Sequence, residues 1–156
     1  MELSQEQRAA NSMTWQHIDR VSTLLHRCAI EMLHRAESHD RSKLGHPEVE
    51  QFAEQTHKLA NQTFGSEEEA AAKQALDKAL AHHYANNRHH PQHFKHGIED
   101  MNLFDIVEWL VDCKASSERQ DDGNIRKSFD ILVGRFNINP QLARILENTI
   151  DALASS

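Results

Sequence analysis

The chain is poor in the residues that interrupt helices. Its 156 residues include only 5 glycines and 3 prolines, whereas good helix formers such as Ala, Glu, Gln and Leu are common. No segment alternates between polar and apolar residues as a half-buried strand does, and no internal repeat is present. These absences predict an all-α fold, a single-domain helical bundle of five to seven helices over residues 1–156.

Other absences exclude classes of function and location. No apolar run reaches about 18 residues, so no membrane span is predicted, and residues 1–5 lack the pattern of a signal peptide. The net charge is −7 with His neutral, and without a basic run we expect no non-specific binding to nucleic acid. The two cysteines, Cys28 and Cys113, lack CxxC spacing. We interpret them as free, buried thiols of a cytoplasmic protein.

Hydrophobic periodicity and capping residues predict six helices. They are a first from about Ser4 to Ala36, a second opened by Pro47, a third from Ser66 to about Ala85, a fourth over residues 102–116, a fifth from Ile125 to Phe136 and a sixth capped by Asn139. The apolar positions predicted to be buried on the fourth helix are Leu103, Ile106, Val107, Leu110 and Val111. On the sixth helix they are Leu142, Ile145, Leu146, Ile150 and Leu153.

Histidine is unusually frequent, with 12 residues, six of them between His82 and His96. The pair His39–Asp40 follows the first helix, and Glu108 and Asp112 share a face of the fourth helix with Asp105. Imidazole and carboxylate together form a ligand set for a divalent transition metal. The alternative interpretation is a solvated acidic stripe and, for His82, His93 and His96, ordinary side chains near a helix end.

The order of these residues resembles that of the HD-domain metal-dependent phosphohydrolases. More narrowly, the chain resembles a family of small HD-like proteins of phages and bacteria, DUF5662. The stretches that carry the resemblance are His17-x-x-x-Val21, His39-Asp40-x-Ser42-Lys43-Leu44 with Glu48, His83-x-x-x-Asn87-x-His89-His90-Pro91, and Glu108-Trp109-x-x-Asp112. HD domains act on several kinds of phosphate ester, so the resemblance implies a fold and a chemistry but no particular substrate.

The resemblance implies a role for each matched residue. One ion of Mn, Fe, Zn, Ni or Co would be held by His17, His39, Asp40 and Asp112, and His83 and His90 would hold a second ion or contact phosphate. Lys43 stands where some nucleotidase-like relatives place an acid, so it is expected to bind phosphate. The candidate catalytic residues are Lys43, Glu48 and Glu108, and the candidate substrate contacts are Lys43, Asn87, Arg88 and His89.

Helix geometry tests the place of His17 in this set. In one unbroken helix His17 and His39 would lie roughly 33 Å apart, at 1.5 Å per residue. Either the chain bends between about Cys28 and Ser38, or His17 is not a ligand. His34 is the alternative candidate.

Three hypotheses of function follow. The first is a metal-dependent phosphohydrolase whose partner is a small phosphorylated molecule, such as a nucleotide. The second is a non-catalytic protein that binds metal or a nucleotide for regulation or sequestration. The third is a helical structural protein with incidental histidines. The apolar positions of the sixth helix suit a dimer as well as a core, so a homodimer stays open.

Overall fold

The computed structural model describes most of the chain as helices. The described residues are 3–53, 77–78, 80–118 and 125–154. Six α-helices occur within them: α1 (Gln5–Ser38), α2 (described at 48–53), α3 (described at 77–78 and 80–86), α4 (Leu103–Ser117), α5 (Ile125–Arg135) and α6 (Pro140–Ala154). Short 3₁₀ turns at Arg41–Leu44, Pro91–His93 and Gly97–Asp100 connect them.

The prediction of an all-α fold is confirmed, and no strand occurs in the described ranges. The six predicted helices match the observed ones in order. The predicted start of the third helix at Ser66 lies outside the described residues, whereas its end near Ala85 agrees with the end of α3 at residue 86. None of the described helices has the length and apolar character needed to cross a membrane.

The structure separates into two compact units, Met1–Ser38 and His39–Ser156. The first unit is α1, a continuous helix of 34 residues in which no residue is buried. The prediction that Cys28 is a buried thiol is therefore wrong, because Cys28 is exposed on α1. Whether the chain is one HD-like domain stays a prediction.

The core of the second unit lies among α4, α5 and α6. Each of two helices begins at an asparagine that caps it: Asn102 accepts from the backbone of Asp105 at 3.0 Å, and Asn139 accepts from Leu142 at 2.9 Å. Trp109 packs edge-to-face on Phe136, with ring centroids 5.7 Å apart. The buried apolar side chains are Ile98, Met101, Ile106, Trp109, Leu110, Phe129, Ile138, Leu146 and Ile150.

Two predicted core positions of α4 are wrong. Leu103 is 74% exposed and Val111 is 42% exposed, whereas Ile106 and Leu110 are buried as predicted. The reason is that the covered arc of α4 extends from Ile106 and Leu110 toward the acidic flank, where Asp105 is fully buried. Val111 lies about 100° beyond Leu110, away from that flank, whereas Leu103 is the first residue of the helix.

On α6 the prediction holds for Leu146 and Ile150, which are 3% exposed. It is wrong for Ile145, which is 53% exposed, and for Leu153, which is 40% exposed. Ile145 lies about 100° around the helix from Leu146 and so leaves the covered arc. Leu153 lies in the last turn, where few neighbours remain to cover a side chain.

Candidate metal centre

The pair His39–Asp40 occupies the turn that follows α1. Asp40 adopts the left-handed backbone region, with φ 55° and ψ 10°, which Asp tolerates better than most residues. Non-glycine residues in this region cluster at functional sites, because the surrounding structure must stabilise them. The contacts around Asp40 must therefore stabilise this conformation.

Four elements direct ligand atoms toward the Asp40 carboxylate. His83 comes from α3, and its Nε2 lies 3.1 Å from Asp40 Oδ1. His89, in the segment after α3, places Nε2 3.4 Å from the same oxygen. His39 Nε2 lies 3.7 Å from Asp40 Oδ2 and also 3.7 Å from Oδ1 of Asp112, which comes from α4. Segments distant in sequence thus meet at one aspartate.

His90 completes the cluster from the side of His83. The two Nε2 atoms of these histidines are 2.9 Å apart. Three overlapping groups of ligand atoms result, each with its atoms within 4.8 Å of one another: Asp40, His83, His89 and His90; His39, His89 and Glu108; and His39, Asp40 and Asp112. Ligand atoms around one tetrahedral ion with bonds of about 2.0 Å lie roughly 3.3 Å apart, so this spacing suits metal coordination.

A carboxylate contacts Nδ1 of each of three histidines and fixes the orientation of the ring. Glu108 Oε1 lies 3.0 Å from His39 Nδ1 and 3.3 Å from His89 Nδ1. Glu48 Oε2 accepts from His83 Nδ1 at 2.8 Å. Because an ionised carboxylate only accepts hydrogen bonds, Nδ1 of each ring carries a proton, and Nε2 is the atom directed toward the cluster. This pairing is usual for metal-binding histidines.

The Glu48 carboxylate is itself held on several sides. Ser42 Oγ donates to Oε2 at 2.9 Å, and His82 Nδ1 donates to Oε1 at 2.9 Å. Asn87 donates to Ser42 Oγ at 2.9 Å and to the backbone oxygen of His83 at 2.8 Å. Glu48 is fully buried and His83 is 1% exposed, so this network orients the His83 ring rigidly.

The charged groups of the cluster lower the pKa values of Asp40 and His90 and raise that of His89. Burial raises the pKa of Asp40, but close contacts with His83, His89 and Lys43 outweigh burial and lower it well below its usual range. Burial also lowers the pKa of His89, yet contacts with Asp40 and Glu108 raise it to about 9. The pKa of His90 falls to about 3 through burial and the charges of His89 and His83.

Two buried atoms at the centre of the cluster support a metal ion there. Asp40 Oδ1 and His89 Nε2 are buried and lie 3.4 Å apart, and neither makes a well-aligned hydrogen bond within the described part of the chain. Buried polar atoms without partners are costly, and a cation between them would satisfy both. The donors are nitrogen and oxygen, which suits Mn, Fe, Co, Ni or Zn. The residues present therefore fit such an ion.

Cys113 does not add a sulfur ligand to these groups. It packs against the apolar core, and burial raises the pKa of its thiol to about 12, helped by the charge of Asp112. A thiol that stays protonated is a poor metal ligand. The donor set is thus imidazole and carboxylate.

The structure brings together most of the residues singled out from the sequence. His39, Asp40, His83, His90 and Asp112, the predicted ligands of the second unit, meet in the cluster. His89, expected as a substrate contact, lies among them. Glu48 contacts the histidines from outside the ligand groups, whereas Glu108 belongs to one of them. Lys43 Nζ lies 2.6 Å from Asp40 Oδ2.

The remaining predicted residues are placed elsewhere. Asn87 supports Ser42 and His83, and Arg88 donates to the buried Asp105 through Nε and Nη2 at 3.3 and 3.0 Å. His17 lies on the exposed surface of α1 in the first unit. Because α1 is unbroken, His17 is roughly 32 Å along the axis from its end at Ser38. The bend that would bring His17 and His39 to one ion is therefore not present in α1.

Sequence reasoning missed three contributors to the site. His82, predicted to be an ordinary side chain near a helix end, shares Glu48 with its neighbour His83. Ser42 was noted only within a motif. Asp105 was grouped with the other acids of α4, but it closes a capping box with Asn102. The Asn-x-x-Asp spacing is a recognisable signal for that box.

Fold and site together define an all-helical protein with a candidate centre of histidine and aspartate ligands. A comparison with protein families is more specific. The chain matches the family described as "Family of unknown function (DUF5662)" over residues 6–152, and it belongs to that family. Comparisons with curated proteins and with solved structures gave no match. The relationship to HD domains stays a prediction.

Proposed function

We propose that the protein is a metal-dependent phosphohydrolase acting on a nucleotide or another small phosphate ester. The observation that carries the proposal is that imidazole Nε2 atoms converge on Asp40 while their Nδ1 atoms contact the carboxylates of Glu48 and Glu108. Such an arrangement prepares nitrogen lone pairs for a cation. The order of the ligands along the chain, which resembles that of HD-domain hydrolases, supports the reaction class.

Each residue has a role in this proposal. Asp40, Asp112 and the cluster histidines hold one or two ions, and Glu48 and Glu108 keep the imidazoles in the ligating tautomer. A bound divalent ion lowers the pKa of water and polarises a phosphoryl oxygen. Lys43, next to Asp40 and partly exposed, supplies a positive charge for the phosphate.

The test is phosphate release from a panel of nucleotides and simple phosphate esters by protein loaded with Mn²⁺. Asp112→Asn removes one ligand charge and is expected to lower the turnover at least 100-fold. Asp130→Asn is the matched control, because Asp130 is an exposed acid on α5, and it should retain wild-type turnover. Turnover that survives Asp112→Asn would contradict the proposed site.

A second candidate is a protein that binds metal or a nucleotide without turnover. It is favoured by the hydrogen bonds of the two carboxylates nearest the cluster. Both oxygens of Glu48 accept hydrogen bonds, and Glu108 Oε1 lies within 3.3 Å of two histidine nitrogens. These three oxygens hold the imidazoles and are poorly disposed to activate water. Stoichiometric metal and nucleotide binding without release of phosphate across the panel would favour this candidate.

A further inference from the structure

Lys43 contacts the carboxylate oxygen on one side of the cluster. Its Nζ lies 2.6 Å from Asp40 Oδ2, the oxygen that faces His39 Nε2 at 3.7 Å. Asp40 Oδ1 faces His83 and His89 instead. The ammonium therefore lies on an atom that a metal ion coordinated by His39, Asp40 and Asp112 would also require.

The local backbone explains this contact. The backbone N–H of Lys43 donates to the carbonyl oxygen of Asp40 at 2.9 Å, at the start of the 3₁₀ turn. In such a turn, side chains three residues apart lie almost above one another. The Lys43 side chain is 36% exposed, and Nζ lies 5.8 Å from the ring centroid of Phe52. The long side chain thus has room to leave Asp40 and stay solvated.

We propose that the Lys43 ammonium and a metal ion compete for Asp40, and that metal loading redirects Lys43 to an anionic substrate. The inference rests on the proposed metal centre and adds a coupling between the binding of the metal ion and the binding of the anionic substrate. A divalent cation near Asp40 Oδ2 repels the ammonium and takes the lone pairs that bind it. The displaced ammonium, close to the ion, then favours the negative charge of a phosphate group.

A purely structural ion pair makes the opposite prediction. If Lys43 served to orient Asp40, its removal would leave the carboxylate less ordered and weaken metal binding. If Lys43 competes with the ion, its removal strengthens metal binding and weakens anion binding. The two effects of one substitution then have opposite signs, which a loss of order does not produce.

The experiment compares wild type with Lys43→Met by calorimetric titration with Co²⁺ in phosphate-free buffer. We expect Lys43→Met to bind Co²⁺ roughly tenfold more tightly, within the usual range of coupling between sites. Inorganic phosphate is then titrated into the Co²⁺-loaded proteins, and Lys43→Met should bind it roughly tenfold more weakly. If Lys43→Met fails to fold, Lys43→Gln serves in its place.

Lys114→Met is the matched control. Lys114 also pairs with a carboxylate, that of Glu118 directly after the end of α4, so the substitution removes the same charge and an ion pair. It should leave both affinities at the wild-type values. This separates competition at Asp40 from a general effect of the net charge.

The possible results separate a failure of the competition at Asp40 from a failure of the proposed metal centre. Wild type that binds Co²⁺, with equal or weaker binding by Lys43→Met, overturns the competition and leaves the metal centre intact. Tighter Co²⁺ binding with unchanged phosphate affinity overturns the transfer of Lys43 to the anion. Absence of Co²⁺ binding in both proteins overturns the metal centre, and the inference with it.

Discussion

Glu48 is the residue on which the orientation of the cluster depends most. It is fully buried and accepts hydrogen bonds from His82, His83 and Ser42. Glu48→Gln keeps the shape but replaces an acceptor by an amide that donates, so the His83 ring loses its fixed tautomer. We expect metal affinity to fall by about 10- to 100-fold, measured by titration with Co²⁺.

Glu50 provides the control for that substitution. It lies two residues further along and also accepts from a histidine, His46, at 3.1 Å, but this pair is exposed. Glu50→Gln should leave metal affinity unchanged. Equal losses in the two variants would mean that Glu48 acts through the general charge of α2 and not through His83.

The raised pKa of His89 predicts how metal binding depends on pH. Asp40 and Glu108 raise that pKa to about 9 against the opposing effect of burial, so the ring is protonated at neutral pH in the metal-free protein. A metal ion binds only the neutral ring. Apparent affinity should therefore rise with pH up to about 9 and decrease as pH falls.

Proton release tests this dependence directly. Calorimetry at pH 7.5 in buffers with different ionisation enthalpies should show about one proton released for each ion bound at this position. His90 should add none, because its pKa of about 3 keeps it neutral at that pH. Binding without proton release would show that His89 is already neutral or is not a ligand.

At the scale of elements, Arg88 connects the segment that carries two histidines to the start of α4. Its guanidinium donates two hydrogen bonds to the fully buried Asp105. Arg88→Met leaves that carboxylate without this cation. We expect the free energy of unfolding, measured in urea titrations, to fall by about 1–3 kcal/mol, because a buried carboxylate loses two hydrogen bonds. The loss is no larger because the Arg88 side chain is half exposed, so that solvent weakens the ion pair.

Arg144→Met is the control for Arg88→Met, because it removes an ordinary ion pair at the surface. Arg144 donates to Glu147 at 3.0 Å on α6, where the arginine is 75% exposed. The expected change is within about 0.5 kcal/mol. If Arg88→Met were equally harmless, the pairing with Asp105 would contribute little to joining the two elements.

The helices were predictable because their signals are local. Asn139 followed by Pro140 identified the start of α6, and the period of Phe129, Leu132 and Val133 identified α5. The exposure of Leu103 and Val111 was not predictable in the same way. Which flank of an amphipathic helix is covered depends on its neighbours, and on α4 the acidic flank is the covered one.

At the scale of the whole molecule, residue types indicated the chemistry of the site but not its connections. Histidine excess and the His39–Asp40 pair pointed to nitrogen and oxygen ligands, which the cluster contains. The sharing of Glu48 by His82 and His83, and of Glu108 by His39 and His89, depends on contacts between residues as many as 69 positions apart. Such contacts leave no local pattern in the sequence.

The most direct test of the metal centre is elemental analysis of untagged protein after reconstitution and removal of loosely bound ions. Wild type should retain one or two equivalents of Mn, Fe, Co, Ni or Zn, and the double variant His39→Ala/Asp40→Ala should retain none. Wild type without bound metal, or a double variant with the wild-type content, would contradict the assignment of the cluster as a metal centre.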